Sequence, residues 1–265
     1  MSDLKQAIKQ NYLKCAKEPS YFINQFCTIQ HPQRGKIKFK LYPFQFDVLD
    51  EYQNNDYNVI LKSRQLGIST LSAAYSLWMM LFQNDKNILV IATTKDTAKN
   101  LITKVRVMYE ALPAWLKTAI VENNKLSLVF KNGSQIKAIA SNESAGRSEA
   151  LSLLILDEAA FIEKIDVIWT AAQQTLATGG RCLAISTPNG VGNWFHKTWV
   201  DAKDGLNKFN TVKLHWTAHP ERNEDWRREQ DRILGPSQAA QECDADFLSS
   251  GRSVVDPAVL EWYKE

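Results

Sequence analysis

Cysteine is scarce in this 265-residue chain, with four residues at positions 15, 27, 182 and 243. No two lie closer than twelve positions, so there is no CxxC pair for metal or redox chemistry. Apolar runs stop at about eight residues, well short of the roughly 20 that a membrane span needs. The first ten residues, MSDLKQAIKQ, lack an apolar stretch behind a basic start, so no secretory signal is expected. Isolated cysteines without a leader argue for free thiols in a reducing, cytosolic setting. The sequons at Asn132 and Asn142 then read as chance matches. Repeats, low-complexity tracts and Gly/Ser linkers are also missing. Of the four histidines, His215 and His219 have helical spacing, but Pro220 follows and no matched carboxylate appears, which argues against a metal site.

What remains is an ordinary globular composition, 45% hydrophobic and 23% charged. The length allows one large domain or two small ones, with a core that needs no disulfide or metal staple. Net charge is only +3, but it is unevenly spread. Residues 1–40 carry eight Lys/Arg against Asp3 and Glu18, whereas residues 221–265 carry six Lys/Arg against eleven Asp/Glu. The two ends either meet different neighbours or are two solvated faces.

Short apolar segments alternate with helical ones. Strands are expected at 59–62, 87–92, 151–156 and 181–186, with another at 209–214. A hairpin is expected over 126–130 and 135–140, turning at Asn132-Gly133. Helical periodicity covers 70–81, 95–112 and 164–178. The pattern predicts an α/β fold with a mostly parallel sheet covered on both faces, and ligands at the carboxyl ends of its strands. Beyond about residue 215 the texture turns charged, with helices expected at 221–234 and 238–247 around Gly235-Pro236.

The segment from Val59 to Thr70 runs from strand through polar loop to helix, the geometry of a phosphate-binding loop. Against GxxxxGK[ST], Lys62 holds the first position, Gly67 the sixth, Ile68 the seventh and Ser69 the eighth. The usual lysine is therefore replaced by Ile68, and the phosphate charge must come from Arg64 or Lys62. Arg64 is the first choice, because a guanidinium can grip phosphate oxygens with two parallel bonds. An ordinary strand–turn–helix capped by Ser69 or Thr70 explains this segment equally well.

A second feature decides between them. Leu153–Leu156 is apolar and ends in Asp157 and Glu158. A buried strand delivers Asp157 to its carboxyl edge, where it can support Mg²⁺, with Glu158 placed to orient and deprotonate a water. A phosphate loop and an acidic strand end in one α/β chain point to nucleotide hydrolysis. The turn Ser186-Thr187-Pro188 follows the next strand and places hydroxyls where they can sense a γ-phosphate.

Together, SRQLGIST, LLILDEAAF, STPNG and the upstream LYPFQFDVL resemble the ATPase domain of the large terminase subunit of tailed bacteriophages, over nearly the whole chain. Terminases tolerate a displaced phosphate-loop lysine, which accommodates Ile68. The resemblance implies a P-loop NTPase fold of the RecA-like type and an ATP- and Mg²⁺-dependent motor that moves double-stranded DNA into a procapsid. It implies that Gln45 reads adenine, with Tyr42 and Phe44 packed nearby. Lys62, Ser63, Arg64, Gln65, Leu66, Gly67, Ile68, Ser69 and Thr70 form the loop. Ser69 and Asp157 serve Mg²⁺, Glu158 is the catalytic carboxylate, and Ser186, Thr187 and Pro188 couple. Arg147 matches an arginine that in some terminases reaches the neighbouring subunit's nucleotide; cis or trans action stays open, as does a plain loop role.

The same resemblance divides the chain into an ATPase core (1–215), a helical lid (216–248) and a linker (249–265) toward a nuclease domain that is not in this sequence, so no DNA cleavage is expected of it. It implies a portal protein, a small terminase subunit and a homo-oligomeric ring as partners, at the procapsid portal in the host cytoplasm, with no membrane. Lys95, Lys99, Lys104 and Arg106 are candidate backbone contacts to DNA. Two other classes remain: another P-loop DNA motor such as a helicase, and a nucleotide-binding scaffold with a degenerate loop.

Overall fold

The computed structural model describes residues 2–141 and 150–247. Ten strands and nine α-helices are formed among them: α1 (Ser2–Lys17), α2 (Pro19–Phe26), β1 (Thr28–His31), β2 (Gly35–Lys38), α3 (Pro43–Asn54), β3 (Tyr57–Lys62), α4 (Ile68–Phe82), β4 (Asn87–Ala92), α5 (Lys95–Ala111), β5 (Ile120–Asn123), β6 (Ser127–Phe130), β7 (Gln135–Ala140), β8 (Leu153–Asp157), α6 (Ile165–Leu176), β9 (Arg181–Ser186), α7 (Trp194–Lys203), β10 (Asn210–Leu214), α8 (Glu224–Leu234) and α9 (Pro236–Cys243).

Eight strands form one sheet in the order β10-β3-β9-β8-β4-β7-β6-β5. From β10 to β7 all pairings are parallel; β7, β6 and β5 are antiparallel. The expected α/β architecture is therefore present. Gly133, at φ 80, sits in the β6–β7 turn, and a Cβ there would lie 2.0 Å from Asp85 Oδ1, so both backbone angle and space demand glycine.

Strand alternation divides the core in two. Ile60, Ile88, Val90, Leu153, Ile155, Leu183 and Ile185 face one way, into a cluster with α4 and α5. Val59, Leu61, Leu89, Ile91, Leu154 and Leu156 face the other, against α6 and α7. Each buried aliphatic side chain contributes about 1.5–3 kcal/mol. The helix α4, ISTLSAAYSLWMMLF, is apolar on every side and needs a second cover beyond the sheet. The N-terminal helices supply it: Trp78 Nε1 donates to the Cys15 carbonyl at 2.8 Å, and Phe22 meets Phe82 edge-on at 5.3 Å. All four cysteines are free and buried.

Several elements go beyond the sequence expectation, among them the helices α1, α2 and α3. The β1–β2 hairpin and β5 are polar and short, without an apolar signature, and α7 follows a turn-rich stretch that hides its start. The helices after β10 run over 224–234 and 236–243, so the second stops earlier than expected. No helix of the described residues is long and apolar enough to cross a membrane.

Candidate active site

The sheet order puts β9 between β3 and β8, and the register aligns their carboxyl ends: Leu61 pairs with Ser186, and Asp157 with Ile185. Lys62, Ser186 and Asp157 thus finish three adjacent strands. The alternation that points Ile60 and Ile155 toward α4 and α5 carries on to Lys62 and Asp157.

After Lys62 the chain turns through Gln65 (φ 58) and Gly67 (φ 74) into α4. A Cβ on Gly67 would lie 2.9 Å from Gln45 Nε2, so glycine permits both the left-handed turn and that close approach. The loop's first two N–H groups are used: Ser63 donates to the Leu214 carbonyl and Arg64 to the Glu242 carbonyl, each at 2.7 Å. Among the described residues nothing accepts from the N–H groups of residues 65–70. This run of free donors at a helix N-terminus is a nest for an anion.

Ser69 Oγ donates to Asp157 Oδ1 at 2.8 Å. Burial raises the Asp157 pKa and the neighbouring Glu158 adds to it, opposed by the Ser69 hydrogen bond and the charges of Lys62 and Lys104. Glu158 has a left-handed backbone, φ 56 and ψ 49, a conformation that costs a non-glycine residue energy and collects at functional sites. Its two carboxylate oxygens are held apart: Oε1 accepts from Lys62 Nζ at 2.9 Å, and Oε2 from the Thr187 N–H at 3.3 Å and Ser186 Oγ at 3.5 Å. Ser186 Oγ also accepts from the Ala160 N–H at 3.1 Å. The structure therefore brings Lys62, Ser69, Asp157, Glu158, Ser186 and Thr187 together.

Arg64 is placed differently. Its side chain is 66% exposed and turns away, toward Glu242 Oε1 at 3.3 Å. Lys62, 6% exposed and at the strand end, points into the site against Glu158, whereas the sequence reading preferred Arg64 and kept Lys62 second. Gln45 is buried with both ends of its amide engaged: Oε1 accepts from the Tyr42 N–H and Nε2 donates to the Leu66 carbonyl, each at 3.1 Å. Pairing with an adenine edge would require those bonds to be given up. Arg147 lies outside the described residues, as does the segment 249–265.

Of the basic residues on α5, Lys95 and Lys99 are exposed, and Arg106 is tied to Asn123 and Asn124. Lys104 is on the opposite face, partly buried, and feels Asp157. A 100° step per residue separates it from the other three, so the four do not form one stripe.

Sequence reasoning missed Arg222, just before α8. Its Nη2 donates to the carbonyls of Arg64 at 3.0 Å and Gln65 at 3.2 Å, and Nη1 to Ser63 Oγ at 3.3 Å. His219 meets the Tyr42 ring at 4.5 Å, and Gln241 donates to the Pro188 carbonyl at 3.1 Å. The segment after β10 therefore touches the loop, the Tyr42 ring and the Ser186–Pro188 turn.

Residues 59–255 match the family model described as terminase large subunit, T4likevirus-type, N-terminal. The chain belongs to this family. Its resemblance to large terminase subunits, drawn from the motifs, is thus confirmed. The terminase large subunit of Thermus virus P23-45 is 27% identical in an alignment of 227 positions that covers 72% of this chain and 46% of that one. The chain spans about half the length of the curated terminases it matches. Among solved structures, the large terminase ATPase domain of Thermus phage P74-26 superposes with a TM-score of 0.62 at 23% identity, covering 79% of this chain and 94% of that one. The HK97 bacteriophage large terminase gives 0.68 at 19%, covering 88% and 55%. At these identities the two neighbours establish the fold, that of terminase ATPase domains.

Proposed function

We propose that this terminase domain hydrolyses ATP and serves as the motor of DNA packaging. The observation that carries the reading is the meeting of a donor-rich phosphate loop with buried Asp157 and partly exposed Glu158 across β9. The P74-26 neighbour, described as an ATPase domain, has the same fold. The free N–H groups of residues 65–70 would hold phosphate oxygens, and Lys62 would add the positive charge that position 68 lacks. Ser69 and Asp157 present hard oxygen donors that fit Mg²⁺. Among the described residues no three His, Cys, Asp or Glu gather to hold a metal, so the ion would have to take its remaining ligands from substrate phosphates and water. Bound there, Mg²⁺ would neutralise charge on the phosphates.

In this scheme Glu158 takes the proton of the attacking water. Lys62 and Thr187 hold its carboxylate, and Ser186 fixes the turn behind it. Gln45 steadies the loop through Leu66. Glu158→Gln should bind ATP with affinity close to that of the unaltered chain and lose hydrolysis by about 10²–10⁴-fold, the usual weight of a general base. Phosphate release at an undiminished rate in that variant would remove Glu158 from the role.

The DNA-packaging motor role rests on family membership. Translocation of double-stranded DNA, a ring of copies, portal and small-subunit partners, action at the procapsid in the host cytoplasm, and the core, lid and linker division belong to this proposal. So does a catalytic role for Arg147, in cis or in trans.

A further inference from the structure

The phosphate loop lacks the lysine at position 68, yet a second guanidinium besides that of Arg64 is applied to it from outside. Arg222 is half-buried, held 4.3 Å over the Trp226 ring, and spends three donor contacts on the loop. Two of them go to the carbonyl oxygens of Arg64 and Gln65. These carbonyls belong to the peptide groups whose nitrogens are those of Gln65 and Leu66. In a trans peptide the C=O and N–H point in opposite directions, and no peptide of the described chain is cis. Arg222 therefore grips the negative ends of two peptide dipoles whose positive ends belong to the anion nest.

We propose that Arg222 is a positioning residue for phosphate binding: it fixes and polarises the 64–65 and 65–66 peptides so that their N–H groups bind phosphate more strongly. Hydrogen bonds to a charged donor are roughly twice as strong as neutral ones, and hydrogen bonds in series strengthen one another. Its charge also favours the anion from behind the loop, without touching it. A latch that merely fastens the helices after β10 would need neither carbonyl, since Glu242 and Gln241 already tie them to Arg64 and Pro188. The inference rests on the nucleotide-site reading above.

The test is equilibrium binding of ATP and of inorganic pyrophosphate to the whole chain, with Arg222→Ala, Arg222→Lys and, as a control, Arg227→Ala. Arg227 joins Asp244 at 2.8 Å and makes no contact with the loop, so its loss loosens only the appended helices. Arg222→Ala should weaken both ligands at least tenfold, Arg222→Lys should recover part of the loss, and ethylguanidine added to Arg222→Ala should restore affinity. Arg227→Ala should stay within about twofold. Affinity within twofold in Arg222→Ala, or an equal loss in Arg227→Ala, would overturn the inference and leave the site reading standing. Absence of ATP and pyrophosphate binding in the unaltered chain would overturn both.

Discussion

Lys62 Nζ lies 2.9 Å from Glu158 Oε1, joining the first residue of the phosphate-loop motif to the acidic end of a strand two places away in the sheet. The pair sets a lysine and the proposed base on one another, so that each holds the other in place between strand ends.

From that contact, the two loop cations should separate in a single experiment. Lys62→Ala should lower ATP turnover by about 10²–10³-fold, the scale of removing one charge-stabilising donor from a transition state. Arg64→Ala should stay within a few-fold, because its exposed guanidinium pairs with Glu242 outside the site. Loss of turnover in Arg64→Ala with activity retained in Lys62→Ala would restore the assignment made from sequence.

The Asp157 carboxylate is buried beside Glu158, and among the described residues the hydrogen bond it accepts comes from Ser69. Without metal that charge is destabilising. Asp157→Asn keeps an oxygen for Ser69 and should raise the melting temperature of the metal-free chain. The expected rise is about 2–4 °C, the shift that ~1 kcal/mol gives in a domain of this size. The same variant should lose Mg²⁺-dependent hydrolysis. Thermal melting with and without Mg²⁺ checks both; a lower melting temperature in the variant would show that the carboxylate is compensated.

Gln45 holds Leu66 and its own helix start with the two ends of one amide. Gln45→Ala should therefore raise KM for ATP and GTP alike and lower stability by about 1–3 kcal/mol for the polar groups left unmet. A change in ATP preference over GTP, measured as the ratio of kcat/KM values, would give the residue the adenine-reading role.

The cysteines give a pH test of the core. Burial pushes the Cys15 thiol up to about 12 and raises Cys27, Cys182 and Cys243 as well. Raised thiols stay protonated as pH climbs through the ordinary thiol range, so the native chain should not react with a thiolate-selective reagent at pH 8–9. All four should react once it is unfolded, and fast labelling of the native chain would contradict the packing of α1, α2, β9 and α9.

The sheet was largely legible because its central strands are apolar runs with polar punctuation. NILVIA and RCLAIS form strands over the expected residues, and Asn132-Gly133 turns the hairpin. The meeting of Ser69 with Asp157 followed from two strand ends in one sheet. Which cation enters the site was harder to read. It depends on Lys62 closing a strand, in phase with Ile60, while Arg64 lies beyond it in the turn. Arg222 was hidden for another reason: in a densely charged segment, no local pattern marks which side chains reach back about 160 positions to the loop.

The apolar helix α4 is enclosed by the sheet, α1, α2 and α5, whereas no residue of α8 is buried. Such packing should leave the helix that follows the phosphate loop stiffer than the helices that reach that loop from outside. If the domain is the motor proposed above, force generated at the phosphates would meet a fixed abutment on one side and a yielding arm on the other.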